Sequence, residues 1–298
     1  MQHLTAIADW FDAFDDAPRT PLTATMLRFG ADFSTMRAYL LDVVSTDLRA
    51  TAPVASMLQA LHERFATAAA IDTLNAVGLT AAVLASTDPD AIFAVLTADH
   101  LIEPESIFAD RLDAGFQLVE EDPSRFATFA ITPTHPATGF GYVERGDAIE
   151  GHDGCFQATR FVEKPDRETA EAYLEAGNFG WNSGMFVFHA RTVLETIGRL
   201  EPATLEGLQR IAAAWNSPQR TATLEAIYPD LKKISVDYGL MEPAAADDRI
   251  SIAVVPMELS WIDVGSWPSL GETVSPDEHG NRATPGTAHT DVESKNLL

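Results

Sequence analysis

The stretch Ile92-Phe-Ala-Val-Leu-Thr-Ala-Asp-His100 is an apolar run that ends in a carboxylate, and it decides the fold class. The consecutive apolar residues from Ile92 to Leu96 are typical of a strand that is buried on both faces. The next segment, 104–121, has the length and spacing of a helix. A buried strand followed by a helix is the repeating unit of α/β sheets, so we expect an α/β protein whose ligand site lies beyond the carboxyl ends of its strands.

The same alternation continues along the rest of the chain. Glycine at position 177 provides a stop for one of the later helices. The apolar pattern predicts strands at 126–131, 156–162, 185–188 and 250–255, and helices at 72–84, 166–176, 191–215 and 221–228. We therefore predict an open, mostly parallel, Rossmann-like sheet flanked by helices.

Three regions of the chain differ in character. Residues 1–70 have the pattern of a divergent, mostly helical segment, whereas residues 71–271 carry the alternation of strands and helices. Residues 272–298 are polar and rich in Gly, Pro and Asp. We expect the middle region to be the main domain.

Composition limits the partners of the chain. A formal charge of -24 at pH 7 argues against nucleic acid or an anionic membrane as a partner, because both bind clustered cations. No apolar run approaches the roughly 18 residues that span a bilayer, and the first residues lack the positive region of a signal peptide, so we expect a cytoplasmic protein. The single cysteine, Cys155, excludes an internal disulfide. A phosphate ligand must then be bound by carboxylate-held metal or by a few cations.

Two aspartates are candidates for a metal site. Asp99 follows the first predicted strand, and Asp263 lies in the later segment Trp261-Ile-Asp-Val-Gly265. Asp99 alone is as readily explained as a helix cap or a turn carboxylate, and the pair is more persuasive than either residue. Two carboxylates at strand ends can meet at one Mg²⁺, which takes one or two protein carboxylates and fills its octahedron with phosphate oxygens and water. The pair therefore predicts a magnesium site.

Four further residues have the chemistry of a sugar-phosphate site. Glu163 can accept hydrogen bonds from sugar hydroxyls and Lys164 can neutralise a phosphate, although in isolation an exposed ion pair at a strand end is the more common explanation. Gly141 permits close approach of a ligand to the backbone, or simply a bulge. Asn182 can donate to and accept from a hydroxyl, or it can be an ordinary turn asparagine.

Three segments together resemble a known family: Phe161-Val-Glu-Lys-Pro-Asp166, Trp181-Asn-Ser-Gly-Met-Phe186 and Asp263-Val-Gly-Ser-Trp267. In this order they are similar to the sugar-nucleotide pyrophosphorylases, and most closely to the mannose-1-phosphate guanylyltransferases, over about residues 71–298. The resemblance implies a nucleotide-diphospho-sugar transferase fold with its catalytic domain at 71–271. It also implies that this fold is incomplete at its amino-terminal end, where 1–70 is divergent, and that 272–298 is the start of a truncated β segment. It also implies the reaction of GTP with α-D-mannose 1-phosphate to give GDP-mannose and pyrophosphate, with Mg²⁺ as cofactor.

The resemblance further implies a role for each candidate residue. Asp99, Lys164 and Asp263 correspond to catalytic residues, the two aspartates as metal ligands and the lysine as the group that holds the sugar phosphate. The substrate-binding residues that it implies are Gly141, Glu163, Lys164 and Asn182. The implied partners are the small molecules GTP and mannose 1-phosphate, with no nucleic acid and no membrane, and the family allows a homo-oligomer.

One element of the family pattern is absent from the sequence. The family opens with a strand and a G-x-G-T-R-L-x-P-L-type loop whose backbone amides cradle the nucleotide triphosphate. Here the only glycines before Asp99 are Gly30 and Gly78, and the first lysine is Lys164. Alongside the guanylyltransferase, a non-catalytic sugar-phosphate-binding or regulatory homologue therefore stays open. An enzyme for another sugar phosphate, such as glucose 1-phosphate, also stays open but is disfavoured by the segments Trp181–Phe186 and Asp263–Trp267.

Overall fold

The structure, a computed structural model, describes residues 73–97, 99–264, 267–276 and 282. The segment 1–70 and most of 272–298 lie outside the described residues, so the predicted domain boundaries stay predictions. In the part of the chain that is described, no helix is both long enough and apolar enough to cross a bilayer.

The described residues form helices and strands in alternation. The strands are β1 (Ile92–Val95), β2 (His100–Glu103), β3 (Arg125–Ile131), β4 (Tyr142–Ala148), β5 (Phe156–Val162), β6 (Phe179–His189), β7 (Ser251–Met257) and β8 (Ser260–Asp263). The α-helices are α1 (Thr73–Ala85), α2 (Glu105–Glu121), α3 (Arg167–Ala176), α4 (Ala190–Leu200), α5 (Pro202–Ala214), α6 (Arg220–Ile227), α7 (Glu242–Ala244) and α8 (Trp267–Glu272). A 3₁₀ turn spans Tyr228–Asp230 and a π-helical turn spans Asp237–Met241.

The strands form a six-stranded sheet in the order β1-β6-β3-β7-β5-β4, and β2 pairs with β8 in a separate two-stranded sheet. The predicted α/β class is confirmed. However, β3 and β7 are parallel and the other described pairs are antiparallel, so the sheet is mixed and the prediction of a mostly parallel sheet is wrong for this part of the chain. Apolar runs report burial and not strand direction, which explains the error.

Helices cover both faces of the large sheet, as predicted. Successive residues of β6 point to opposite faces, because side chains alternate along a strand. Phe186 and Phe188 pack in one core cluster with residues of α1 and α4, and Val187 packs in another with residues of α2 and α3. The polar ends of the strands are thereby held on a rigid, two-sided core.

Local signals determine where the helices begin and end. The Asp166 side chain accepts a hydrogen bond from the Thr169 backbone N–H at 2.8 Å, and Gly177 ends α3 in the left-handed conformation. Both ends of α3 agree with the prediction. The single helix predicted at 191–215 is wrong, since α4 ends at Leu200 and α5 begins at Pro202. Proline lacks an N–H and is favoured at the first position of a helix, so it starts a new helix here.

Candidate sugar-phosphate and metal site

A bulge in the middle of β6 presents Asn182. The sequence predicted Trp181-Asn-Ser-Gly184 to precede a strand, but the structure places the segment within β6. Ala130 pairs with Asn182 and Thr128 pairs with Phe186, so β6 contains extra residues at this point of the ladder. Gly184 has φ of 70°, which glycine adopts without strain. Bulges of this kind re-aim side chains and are common beside active sites.

The bulge holds the Asn182 amide in one orientation. Its Oδ1 accepts from the Thr128 hydroxyl at 3.1 Å and from the Gly184 backbone N–H at 3.2 Å. Its Nδ2 donates to Asp237 Oδ1 at 2.9 Å. An amide oxygen has two lone pairs, so this oxygen is fully used. One hydrogen of Nδ2 remains for another partner, which means that Asn182 can donate to a sugar hydroxyl but is not the acceptor that the sequence suggested.

Gly141 lies directly against Asn182 and Glu163. The Asn182 backbone N–H donates to the Gly141 carbonyl at 2.8 Å. A Cβ at position 141 would lie 2.5 Å from Glu163 Oε2, closer than real Cβ contacts allow. Only glycine therefore lets the Glu163 carboxylate approach this backbone, and the side chain of Glu163 is 7% exposed.

Lys164 is held beside Glu163 but remains open to solvent. Its Nζ lies 3.0 Å from Glu163 Oε1, and its side chain is 55% exposed. The hydrogen bond that the Lys164 ammonium donates to Glu163 raises the pKa of this ammonium, which stays charged at neutral pH. The lysine backbone has φ of 47°, in the left-handed region that is strained for a residue with a Cβ.

The structure thus brings together the four residues that were predicted to bind the sugar phosphate. We call Gly141, Glu163, Lys164 and Asn182 the sugar-phosphate cluster. Sequence reasoning missed a fifth member of this neighbourhood, Asp237. The segment Ser235-Val-Asp-Tyr238 offers no glycine or strand-end signal, and only the tertiary fold places its carboxyl group against Asn182.

The two predicted metal ligands also meet. Strands β2 and β8 pair so that His100 stands opposite Asp263, and the Val264 N–H donates to the Asp99 carbonyl at 2.9 Å. Ligand atoms of Asp99, His100 and Asp263 all lie within 4.8 Å of one another. The Asp99 side chain is 60% exposed. Two accessible carboxylates this close fit a hard divalent cation, which takes oxygen ligands.

His100 is oriented by hydrogen bonds on one side of its ring. Its Nδ1 lies 3.0 Å from Trp261 Nε1 and 2.5 Å from the Thr97 hydroxyl. Burial lowers the pKa of His100, so the ring is neutral at pH 7. An indole nitrogen only donates, and therefore Nδ1 accepts and the proton resides on Nε2, 3.9 Å from Asp99 Oδ1. In this tautomer Nε2 has no lone pair for a metal.

Aromatic rings connect the metal-binding strand to the sugar-phosphate cluster. The ring of Phe140, in the loop before β4, lies 5.2 Å from the rings of both Trp181 and Trp261. A Cβ at Gly184 would lie 3.6 Å from the Thr97 methyl group. The two groups of predicted residues are thus neighbours on one end of the sheet.

Comparison with known proteins identifies the family. The nucleotidyl transferase family matches residues 36–279, which is more than half of the chain. The chain belongs to the nucleotidyl transferase family. The match begins within the segment 1–70 that the sequence predicted to be divergent.

Curated relatives of this nucleotidyl transferase support the predicted resemblance. It is 38% identical to the mannose-1-phosphate guanylyltransferase of Klebsiella pneumoniae over 212 residues, which cover 70% of this chain and 44% of the relative. The mannose-1-phosphate guanylyltransferase of Escherichia coli is 37% identical, with the same coverage. The chain therefore spans less than half the length of these relatives.

Solved structures agree with the fold of this nucleotidyl transferase. A structure described as mannose-1-phosphate geranyltransferase from Thermus thermophilus is 31% identical with a TM-score of 0.59, and covers 71% of this chain and 57% of its own. A structure described as mannose-6-phosphate isomerase from Helicobacter pylori is 26% identical with a TM-score of 0.52, and covers 65% of this chain and 71% of its own. The predicted resemblance to mannose-1-phosphate guanylyltransferases is confirmed at the level of family and fold.

Proposed function

We propose that the protein transfers a guanylyl group from GTP to α-D-mannose 1-phosphate, giving GDP-mannose and pyrophosphate. The observation that carries the proposal is the Lys164 ammonium, held 3.0 Å from Glu163 and exposed beside Gly141 and Asn182. A cation next to a buried acceptor and an amide donor suits a ligand that has both a phosphate and hydroxyl groups. Relatives named mannose-1-phosphate guanylyltransferase support the choice of sugar and nucleotide.

The reaction requires alignment and charge neutralisation more than a general base. An oxygen of the mannose phosphate forms a bond to the α-phosphorus of GTP, and the bond from that phosphorus to the oxygen bridging the α- and β-phosphates breaks. Pyrophosphate leaves with the electron pair. The attacking phosphate is already an anion, so no proton has to be removed from it.

Each residue contributes binding or charge in this scheme. Lys164 neutralises the mannose phosphate, while Glu163 holds the ammonium and offers Oε2 to the sugar. Asp99 and Asp263 would hold Mg²⁺, since their carboxylate oxygens fit a hard cation. When bound, the ion would neutralise phosphate charge in the transition state. The Nε2 atom of His100 lies 3.9 Å from Asp99 Oδ1.

A second function is supported by one observation. The sequence before Asp99 contains only two glycines, far apart, and so lacks a glycine-rich loop for the nucleotide triphosphate. The alternative is a non-catalytic protein that binds sugar phosphate or regulates a partner enzyme. It predicts binding of mannose 1-phosphate without turnover.

The decisive experiment measures binding and turnover on the same purified chain. Calorimetry with mannose 1-phosphate gives the affinity, and pyrophosphate release with GTP, mannose 1-phosphate and Mg²⁺ gives the rate. We expect Asp263→Asn to lower turnover while binding of the sugar phosphate persists, and Lys164→Ala to weaken binding. Asp248→Asn is the control, because it removes an exposed carboxylate in a turn away from the site.

The outcomes separate the two functions. Turnover that Asp263→Asn abolishes supports the transferase. Binding that Lys164→Ala weakens, with no turnover in any variant, supports the sugar-phosphate-binding protein. A chain that neither binds mannose 1-phosphate nor releases pyrophosphate contradicts both.

A further inference from the structure

Asp237 has a fixed position at the edge of the sugar-phosphate cluster. It begins the π-helical turn Asp237–Met241, whose Leu240 and Met241 are fully buried in the core. The Val236 backbone N–H donates to the Thr73 hydroxyl at 2.8 Å, which ties the start of this turn to α1. Single π turns occur frequently at functional sites. The carboxyl group is therefore supported by packed backbone and not by a mobile loop.

The contacts of Asn182 leave Asp237 as an available acceptor. Asn182 uses both lone pairs of its oxygen within the protein and gives one amide hydrogen to Asp237 Oδ1. A sugar hydroxyl that accepts the remaining amide hydrogen still needs an acceptor for its own proton. A carboxylate has about four acceptor positions, and the hydrogen bond from Asn182 occupies one of those on Asp237.

The charges around Asp237 point to a polar ligand. Glu163 and Lys164 both interact electrostatically with its carboxyl group, so the three side chains face a common space. Burial, followed by the negative charge of Glu163, raises the pKa of Asp237 to about 6. A carboxylate enclosed beside another carboxylate does not stabilise the fold by itself. Its placement is explained by a ligand that supplies hydroxyl donors.

We propose that Asp237 is an additional ligand-binding residue of this site, whose carboxylate accepts a hydrogen bond from a ring hydroxyl of the sugar phosphate. This inference rests on the proposed sugar-phosphate site and adds the acceptor that Asn182 does not provide. Glu163 and Asp237 then approach the sugar from different elements, the end of β5 and the π-helical turn. The two carboxylates can thereby accept hydrogen bonds from two different hydroxyl groups of one sugar ring.

Deoxy analogues of the ligand test the proposal directly. Affinities of 2-deoxy, 3-deoxy and 4-deoxy mannose 1-phosphate are measured by calorimetry on the unsubstituted chain and on Asp237→Asn. The asparagine keeps an oxygen for the Asn182 amide but loses the negative charge and one acceptor atom. We expect one analogue to bind the unsubstituted chain about tenfold or more weakly than mannose 1-phosphate. In Asp237→Asn, the difference in affinity between that analogue and mannose 1-phosphate should largely vanish, whereas the differences for the other analogues should persist.

A purely structural role gives a different result. If Asp237 only orients Asn182, Asp237→Asn retains the unsubstituted chain's full penalty for every deoxy analogue, and this inference is overturned while the proposed function stands. If the unsubstituted chain does not bind mannose 1-phosphate, both are overturned. Lys164→Ala should weaken all ligands by a similar factor, since it acts on the phosphate, and Asp248→Asn should change none. Near-ultraviolet circular dichroism verifies that each variant is folded.

Discussion

The indole N–H of Trp261 donates to Nδ1 of His100 at 3.0 Å, and the two rings meet edge to face with centroids 4.9 Å apart. This contact assigns the proton of the neutral imidazole to Nε2. His100 follows Asp99 in sequence and stands opposite Asp263 in the pairing of β2 with β8. Its Nε2, the nitrogen that faces Asp99, nevertheless carries a hydrogen. The metal site is then expected to use the carboxylates of Asp99 and Asp263 and not the imidazole.

Substitution of His100 by asparagine tests this assignment. The asparagine oxygen takes the place of Nδ1 and still accepts from Trp261, whereas Nε2 is lost. Because Nε2 is not a ligand, we expect Mn²⁺ affinity of His100→Asn to change little. Asp263→Asn should weaken binding on the order of 10- to 100-fold, as loss of a metal-site group does. Mn²⁺ titration by electron paramagnetic resonance makes the measurement, and an equal loss in the two variants would contradict the assignment.

Gly141 should be required for ligand binding because of its contact with Glu163. Gly141→Ala places a Cβ 2.5 Å from Glu163 Oε2 and pushes the carboxylate away from the cluster. Because the atom that must move is the end of a flexible side chain, we expect the substitution to affect the ligand site more than the stability of the fold. We expect mannose 1-phosphate to bind about tenfold more weakly or worse, measured by calorimetry. Gly139→Ala is the matched control in the same loop, since nothing lies within 4 Å of its Cβ, and an equal loss there would argue against a specific contact.

The left-handed backbone conformation of Lys164 should lower the free energy of unfolding of variants that keep a Cβ at this position. Lys164→Ala and Lys164→Gly both remove the ammonium, so both should lose phosphate binding. They differ in the cost of φ at 47°, which glycine adopts freely, and in the greater backbone freedom of glycine in the unfolded chain, which offsets part of that gain. We therefore expect the glycine variant to be more stable than the alanine variant by about 1 kcal/mol in urea unfolding. Equal stabilities would mean that this backbone conformation is not strained.

Ionisation of Asp237 should cost stability above about pH 6. Burial and the charge of Glu163 raise the pKa of Asp237 from 3.8 to about 6, so the folded protein holds this proton more tightly than the unfolded chain. This reduction in the free energy of unfolding is fully present above the pKa of Asp237 in the folded protein, and it disappears as the pH falls through that pKa. It amounts to up to about 3 kcal/mol. Asp237→Asn should therefore be more stable than the unsubstituted chain at alkaline pH, as urea unfolding measures.

The pH dependence distinguishes this effect from a general change in packing. The advantage of Asp237→Asn should shrink as the pH is lowered from about 8 toward about 5, because the aspartate becomes protonated. Asp248→Asn, on an exposed turn, should show no such trend. A stability difference that is constant with pH would show that the carboxylate ionises normally.

Sequence reasoning succeeded where a signal is local. The strand β3 at Arg125–Ile131 and the helix α3 were predicted because an apolar run and a terminal glycine each act within a few residues of the chain. It failed for β6, where Trp181-Asn-Ser-Gly184 resembles a turn. The segment lies within a strand because β3 and β4 pair with it from distant parts of the chain.

The features of the candidate site also divide into those that the sequence predicted and those that only the tertiary structure revealed. Asp99, Asp263, Glu163, Lys164, Gly141 and Asn182 were all recognisable in sequence, since their motifs specify residue types at strand ends. Their convergence in two neighbouring groups agrees with the predicted roles, which remain predictions until ligands are measured. The orientation of the Asn182 amide and the participation of Asp237 had no sequence signal. Both depend on hydrogen bonds between residues more than fifty positions apart.

The sequence by itself determined the α/β class, the family and the residue types of the site, because apolar periodicity and short motifs are properties of contiguous chain. Only the tertiary structure decided the directions of the strands, the bulge that presents Asn182 and the carboxyl group of Asp237 beside it. These features arise from pairing and packing between distant segments. The physical reason is that a backbone hydrogen bond or a buried charge interacts with the groups that lie near it in the folded structure, however far apart they are in sequence.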